Sequence, residues 1–227
     1  MNIDKFTSRF LGFLLSDTGD HVYSSMKLMT GGLTSYRTAK LLNFATSVLD
    51  DDECYLEIGV FTGYTLMAAH YMNTKICIGI DHFTSFGLDP EVVRNQCKKN
   101  IEYFSRSMNQ GILVLDANFK IVKKEDIGRS IGVFFIDGDH SYEETIAQMD
   151  WGTPLLSDQA VIIFDDLCFP GVSKAVDEIV KRPGHELLFY AKPYYVEEGF
   201  YTDRDRVVNT GLAIVSYRRD PTTKGEN

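Results

Sequence analysis

Apolar residues fall in this chain as short unbroken runs, each ending abruptly in acidic residues or glycine, and the runs alternate with segments of helical spacing. The clearest runs are Val133-Phe134-Phe135-Ile136 and Ala160-Val161-Ile162-Ile163-Phe164. Runs without alternation need cover on both faces, which a strand finds in a parallel sheet flanked by helices. The pattern predicts strands near 54–58, 75–80, 111–115, 132–136, 160–164, 186–191 and 212–217. Helical segments separate most of them, near 66–71, 90–107, 141–151 and 172–181. Asp89-Pro90 is a helix start, and Ser141 with Glu144 has capping-box spacing. Strand and helix in turn make βαβ units. The last two strands differ, because the polar, aromatic segment 193–209 between them has no helical pattern, and an antiparallel hairpin is expected there. Residues 1–50 carry helical spacing, with Leu41, Leu42, Ala45, Val48 and Leu49 on one face and Gly31-Gly32 breaking the chain before it. The expected architecture is α/β: a doubly wound, mainly parallel seven-stranded sheet over 51–220, a C-terminal antiparallel hairpin and an N-terminal helical cap over 1–50, all in one domain. The tail 221–227 reads as disordered.

With 227 residues, 44% of them apolar, the chain can bury a full core. Its formal charge of -9 argues against nucleic acid as a partner, since phosphate contacts need clustered Lys and Arg. No run approaches the roughly 18 to 20 apolar residues of a membrane span. The N-terminus shows neither a basic leader nor a small-residue cleavage site. The apolar stretch 10–15 is short, and reads as an amphipathic helix that packs on the domain or on a second copy in a homodimer. Cys54, Cys77, Cys97 and Cys168 show no CxxC spacing, and a reducing, cytoplasmic setting is expected.

The chemistry gathers where the runs stop. Asp137-Gly138-Asp139-His140 follows one strand and Asp165-Asp166 the next. In an open parallel sheet ligands bind beyond the carboxyl ends of the strands, so adjacent strands would bring Asp137, Asp165 and Asp166 to one edge as a hard-oxygen site for a divalent cation. Mg²⁺ suits such a set. The competing reading is ordinary strand-end turn chemistry. Earlier in the chain, Glu57-Ile58-Gly59-Val60-Phe61-Thr62-Gly63 turns from strand to helix, with Gly59 allowing close approach and Gly63 easing the helix start. A GxGxxG pattern is absent, and an acid two residues before the first glycine disfavours phosphate. Asp81, 24 residues past Glu57 and at the next strand end, stands where a carboxylate grips ribose hydroxyls, although a turn cap is an alternative. Together these describe a nucleoside that carries a positive charge and no phosphate.

On these motifs the chain resembles the class I S-adenosylmethionine-dependent methyltransferases, with their Rossmann-like fold, over about residues 54 to 217. FIDGDHSYEE at 135–144 and IIFDDL at 162–167 are similar to the small metal-dependent O-methyltransferases, in particular the macrocin-type and mycinamicin-type sugar methyltransferases. The resemblance implies S-adenosylmethionine as cofactor, contacted by Glu57, Gly59, Gly63 and Asp81, with Asp116 and Ala117 near its adenine. It implies Asp137, Asp165 and Asp166 as metal ligands, His140 close to the reacting hydroxyl, and a small-molecule acceptor such as a sugar or phenol. Asp139 is a second candidate base, or a group that orients a ligand. Two rival readings stay open: a metal-independent methyltransferase on another acceptor, and a non-catalytic nucleoside-binding protein of the same fold. A dinucleotide oxidoreductase is disfavoured by the missing GxGxxG. The aromatics Phe189, Tyr190, Tyr194, Tyr195, Phe200 and Tyr201 line an acceptor pocket or cover the sheet edge, and His82 follows Asp81 towards the cleft.

Overall fold

The computed structural model describes residues 1–15, 20–84, 87–105, 111–191 and 210–220. Three helices come first: α1 (Ile3–Leu15), α2 (Asp20–Thr30) and α3 (Tyr36–Ser47). Strands and helices then alternate as β1 (Glu53–Ile58), α4 (Tyr64–His70), β2 (Ile76–Asp81), α5 (Pro90–Ser105), β3 (Ile112–Asp116), α6 (Lys124–Ile127), β4 (Ser130–Ile136), α7 (Tyr142–Gly152), β5 (Leu156–Phe164) and α8 (Pro170–Ile179). The chain closes with β6 (His185–Ala191) and β7 (Leu212–Arg218). The seven strands lie in the order β3-β2-β1-β4-β5-β7-β6. The first five run parallel, and β7 pairs antiparallel with both β5 and β6, the hairpin expected from the missing helical pattern in the sequence 193–209.

Alternation along the strands divides the core. Val133 and Phe135 of β4 face α1, α3, α4 and α5, whereas Phe134 and Ile136 face α7 and α8. The N-terminal helices are therefore part of the same core as the sheet: Phe6 and Leu41 are fully buried in the cluster that holds Val133, Val161 and Ile214. Strand β5 starts at Leu156, four residues before the apolar run does, because Leu156 already pairs with Ile131 of β4 and Gln159 with Arg218 of β7. Among the described residues no helix is long and apolar enough to cross a membrane.

Register is what builds the site. Ile58 pairs with Ile136 and Ile136 with Phe164, so these strands end level. The ladder then runs one residue further, with Asp137 N donating to Ile58 O at 3.0 Å and Asp165 N to Ile136 O at 3.2 Å. Gly59 N likewise donates to Ile80 O at 3.0 Å. Gly59, Asp137 and Asp165 stand in one row because their backbones are still in the sheet. The row crosses the point where the strand order reverses, between β1 and β4, and there a crevice opens.

Candidate active site

The turn from β1 to α4 is shaped by close approach. Gly59 has φ 95°, and a Cβ there would stand 2.1 Å from the Asp137 carbonyl oxygen, so only glycine passes. Gly63, at φ 86°, caps α4 in the left-handed region with no side-chain cap. Between them Phe61 holds φ 49°, costly for a residue with a side chain. Asp81 stabilises this turn: its Oδ2 accepts from Val60 N and Phe61 N at 2.8 Å each, and its Oδ1 accepts from Phe83 N at 2.6 Å. Asp81 is thus a turn clamp, the alternative its position offered, and it also lines the crevice. Glu57 lies behind the wall, fully buried, with Tyr55 donating to Oε2 at 2.6 Å and Thr65 to Oε1 at 3.1 Å. Burial pushes its carboxyl up to about 8, against the pull of those two hydroxyls.

Across the turn, one ligand atom each from Asp137, His140 and Asp166 lies within 4.8 Å of the other two. His140 Nε2 is 2.7 Å from Asp166 Oδ2, and its ring stacks on Phe169 at 4.3 Å between centroids. Burial pulls the imidazole down, but the Asp166 contact outweighs it and the net shift is upward. Asp137 keeps one face open to the crevice while the protein closes round the rest. Burial first, and then Asp165 and Asp166, push its carboxyl well above the ordinary range. Asp165 is buried and differently employed: Thr34 donates to its Oδ2, while Thr210 at 3.1 Å and Asp166 N at 3.0 Å donate to its Oδ1. Burial, then the neighbouring Asp166, raise it to about 6. The exposed Asp139 accepts from Ser141 N at 2.8 Å, and hydrogen bonding to Ser141 holds it below the usual range.

These groups line a crevice of about 480 Å³. Of the residues expected from sequence, Gly59, Asp81, Ala117, Asp137, Asp139, His140, Asp165 and Asp166 reach its wall. Glu57 and Gly63 stand behind it. Asp116 points outward into an ion pair with Arg94, Nε to Oδ2 2.5 Å, and leaves Ala117 and Asn118 to line the wall in its place. His82 is at the rim, its Nδ1 taken up by Thr84 N at 3.3 Å. Leu33, Thr34, Gln148 and Phe169 also line the crevice and carried no motif. Phe189 packs edge-on against Phe10 at 5.9 Å, and Tyr190 packs into the core cluster on the α7/α8 side of the sheet. Tyr194, Tyr195, Phe200 and Tyr201 lie outside the described residues.

Comparison with known proteins agrees with this geometry. A family described as a methyltransferase domain matches residues 56–167, the segment from the β1 turn through the Asp165-Asp166 pair. An uncharacterized protein of Acanthamoeba polyphaga mimivirus is 32% identical over 146 residues, 62% of this chain; the chain spans 65% of that relative. Among solved structures, an O-methyltransferase from Bacillus cereus in complex with S-adenosylhomocysteine superposes with a TM-score of 0.60 at 14% identity, covering 95% of this chain and 91% of its own. The O-methyltransferase TomG from Streptomyces achromogenes, involved in tomaymycin synthesis and in complex with S-adenosylmethionine, gives 0.62 at 12% identity, covering 96% and 100%. The sheet order and the glycine turn agree with these matches: the fold is the one these O-methyltransferase structures share, and residues 56–167 match a methyltransferase domain.

Proposed function

We propose that the protein transfers a methyl group from S-adenosylmethionine to a hydroxyl of a small molecule, assisted by a divalent cation, Mg²⁺ by the hardness of the donors. The observation that carries the reading is the convergence of Asp137, His140 and Asp166 beside the Gly59 turn in one crevice. Two carboxylates with an imidazole, and Asp165 beside Asp166 on the same crevice wall, are oxygen-rich and carry no thiolate, the donor set of a hard cation that keeps some water. Asp137, Asp165 and Asp166 would hold it, and when bound it would lower the pKa of the acceptor hydroxyl. Val60, Phe61 and the Asp81 clamp would border the nucleoside, with Ala117 and Asn118 beside the base. Transfer breaks a carbon–sulfur bond and forms a carbon–oxygen bond, so the protein's chief task is to hold acceptor and methyl in line. The hydroxyl proton leaves to His140. With Nε2 turned to Asp166, the basic nitrogen of the neutral ring is Nδ1. Burial of the four cysteines, all free, three of them fully, suits a reducing compartment.

One observation favours a second reading. At 2.7 Å the His140–Asp166 contact can work as a base and its orienting carboxylate without any metal. Calorimetric titration with S-adenosylhomocysteine, with and without Mg²⁺, followed by methyl-transfer assays on hydroxylated acceptors, tests both. Binding of S-adenosylhomocysteine with turnover abolished by a chelator is the expected result. Turnover that survives chelation establishes the dyad instead, and absence of binding overturns the methyltransferase reading.

A further inference from the structure

We infer that Thr34 is a positioning residue for the cation site, and that through it the strap joining α2 to α3 is coupled to cation binding. The inference rests on Asp165 being one of the cation's carboxylates, as proposed above. A carboxylate has about four lone-pair sites, two on each oxygen. On Asp165, Oδ1 has both engaged, by Thr210 Oγ1 and by Asp166 N. Among the described residues Oδ2 accepts from Thr34 alone, so Asp165 keeps a single acceptor position, on the oxygen that Thr34 orients.

The strap itself is fixed from several sides, so the hydroxyl is presented and does not wander to its partner. Asn100 donates to Thr30 O at 3.1 Å and to Thr62 O at 2.8 Å, tying the end of α2 to the glycine turn. A Cβ on Gly32 would stand 2.4 Å from Tyr64, which shows how closely the strap is pressed on α4. Ser35 caps α3, accepting from Thr38 N at 3.0 Å. Thr34 is held between these anchors, with Leu33 beside it on the crevice wall. The donor to Asp165 thus comes from the N-terminal helices, 131 residues away in sequence. Groups that hold a ligating carboxylate from behind set its direction, and their removal costs about 10- to 100-fold in metal affinity. Coupling is reciprocal, so a cation that prefers the oriented carboxylate also holds the strap.

The test is calorimetric titration with Mg²⁺ in the presence of S-adenosylhomocysteine, together with amide hydrogen exchange over residues 30–36 with and without Mg²⁺. In the unmodified protein Mg²⁺ binds and slows exchange in the strap. Thr34→Val, nearly isosteric, weakens Mg²⁺ about 10- to 100-fold and abolishes the exchange response, and Thr34→Ser restores both. Thr34→Ala serves in place of valine if the second methyl crowds the site. Undiminished Mg²⁺ affinity in Thr34→Val and Thr34→Ala, or a strap that still responds, overturns the coupling alone. If the unmodified protein binds no Mg²⁺, both the cation reading and this inference fall.

Discussion

Phe61 holds φ 49° while its backbone N–H donates to Asp81 Oδ2 at 2.8 Å, so a carboxylate from β2 offsets the strain of the turn after β1. The same oxygen takes Val60 N, and the other takes Phe83 N. Asp81→Ala removes the acceptor for all three N–H groups. Hydrogen bonds to a charged group are worth about 1.5 to 3 kcal/mol each and are not additive, so a loss of about 2 to 4 kcal/mol of stability is expected without any ligand. Denaturant unfolding measures it, and S-adenosylhomocysteine affinity falls in the same variant. A variant of full stability with weakened ligand binding would mean that Asp81 serves the ligand and not the turn.

Gly59→Ala confronts a different limit. The added Cβ would meet the Asp137 carbonyl at 2.1 Å, at φ 95°, and neither backbone can move without breaking a ladder bond. A loss of more than about 3 kcal/mol is expected, visible as a fall in melting temperature or in soluble yield. Gly31→Ala is the control: φ is 73° but nothing lies within 4 Å, so the cost is the backbone conformation alone, about 1 to 2 kcal/mol.

Much of this arrangement was legible along the chain, and the exceptions have physical causes. The strand ends that carry Asp137, Asp165 and Asp166 could be read because unbroken apolar runs end at them, and their level register brings all three to the crevice wall. Glu57 is on a strand with both faces covered, where the pattern does not tell a carboxylate facing a ligand from one sealed by Tyr55 and Thr65. Asp116 sits at its strand end like Asp81, but β3 is an edge strand and Arg94 of α5 draws the side chain outward. Thr34 was out of reach, since its place depends on the packing of three helices and no local spacing records that.

Glu57 makes stability depend on pH in a definite direction. Its folded value of about 8 is above the ordinary 4.5, so the folded state retains a proton that the unfolded state has already lost. The contribution is therefore fullest below about 4.5 and is lost as pH rises towards about 8, by up to roughly 1.4 kcal/mol per unit. Glu57→Gln has no proton to lose. The difference in melting temperature between the two proteins should favour the glutamate least at pH 8 and move in its favour as pH falls to 5. A difference independent of pH would show that Glu57 is ionised throughout.

His140 and Asp139 are the two candidate bases, one residue apart, and their surroundings separate them. Asp139 is exposed and its carboxylate is held below the usual range by Ser141, so it is a weak proton acceptor at neutral pH. His140 is stacked on Phe169 and raised by Asp166, which leaves it the stronger base of the pair. A positioned general base contributes about 10²- to 10⁴-fold, and His140→Ala should lower kcat by that factor while S-adenosylhomocysteine affinity stays within about twofold. Asp139→Ala should cost less than about tenfold, through the lost turn bond to Ser141 N and not through the chemistry. Steady-state kinetics on any accepted hydroxyl substrate distinguishes them. A larger loss at Asp139 than at His140 would transfer the role of base to the carboxylate and leave His140 as a holder of Asp166.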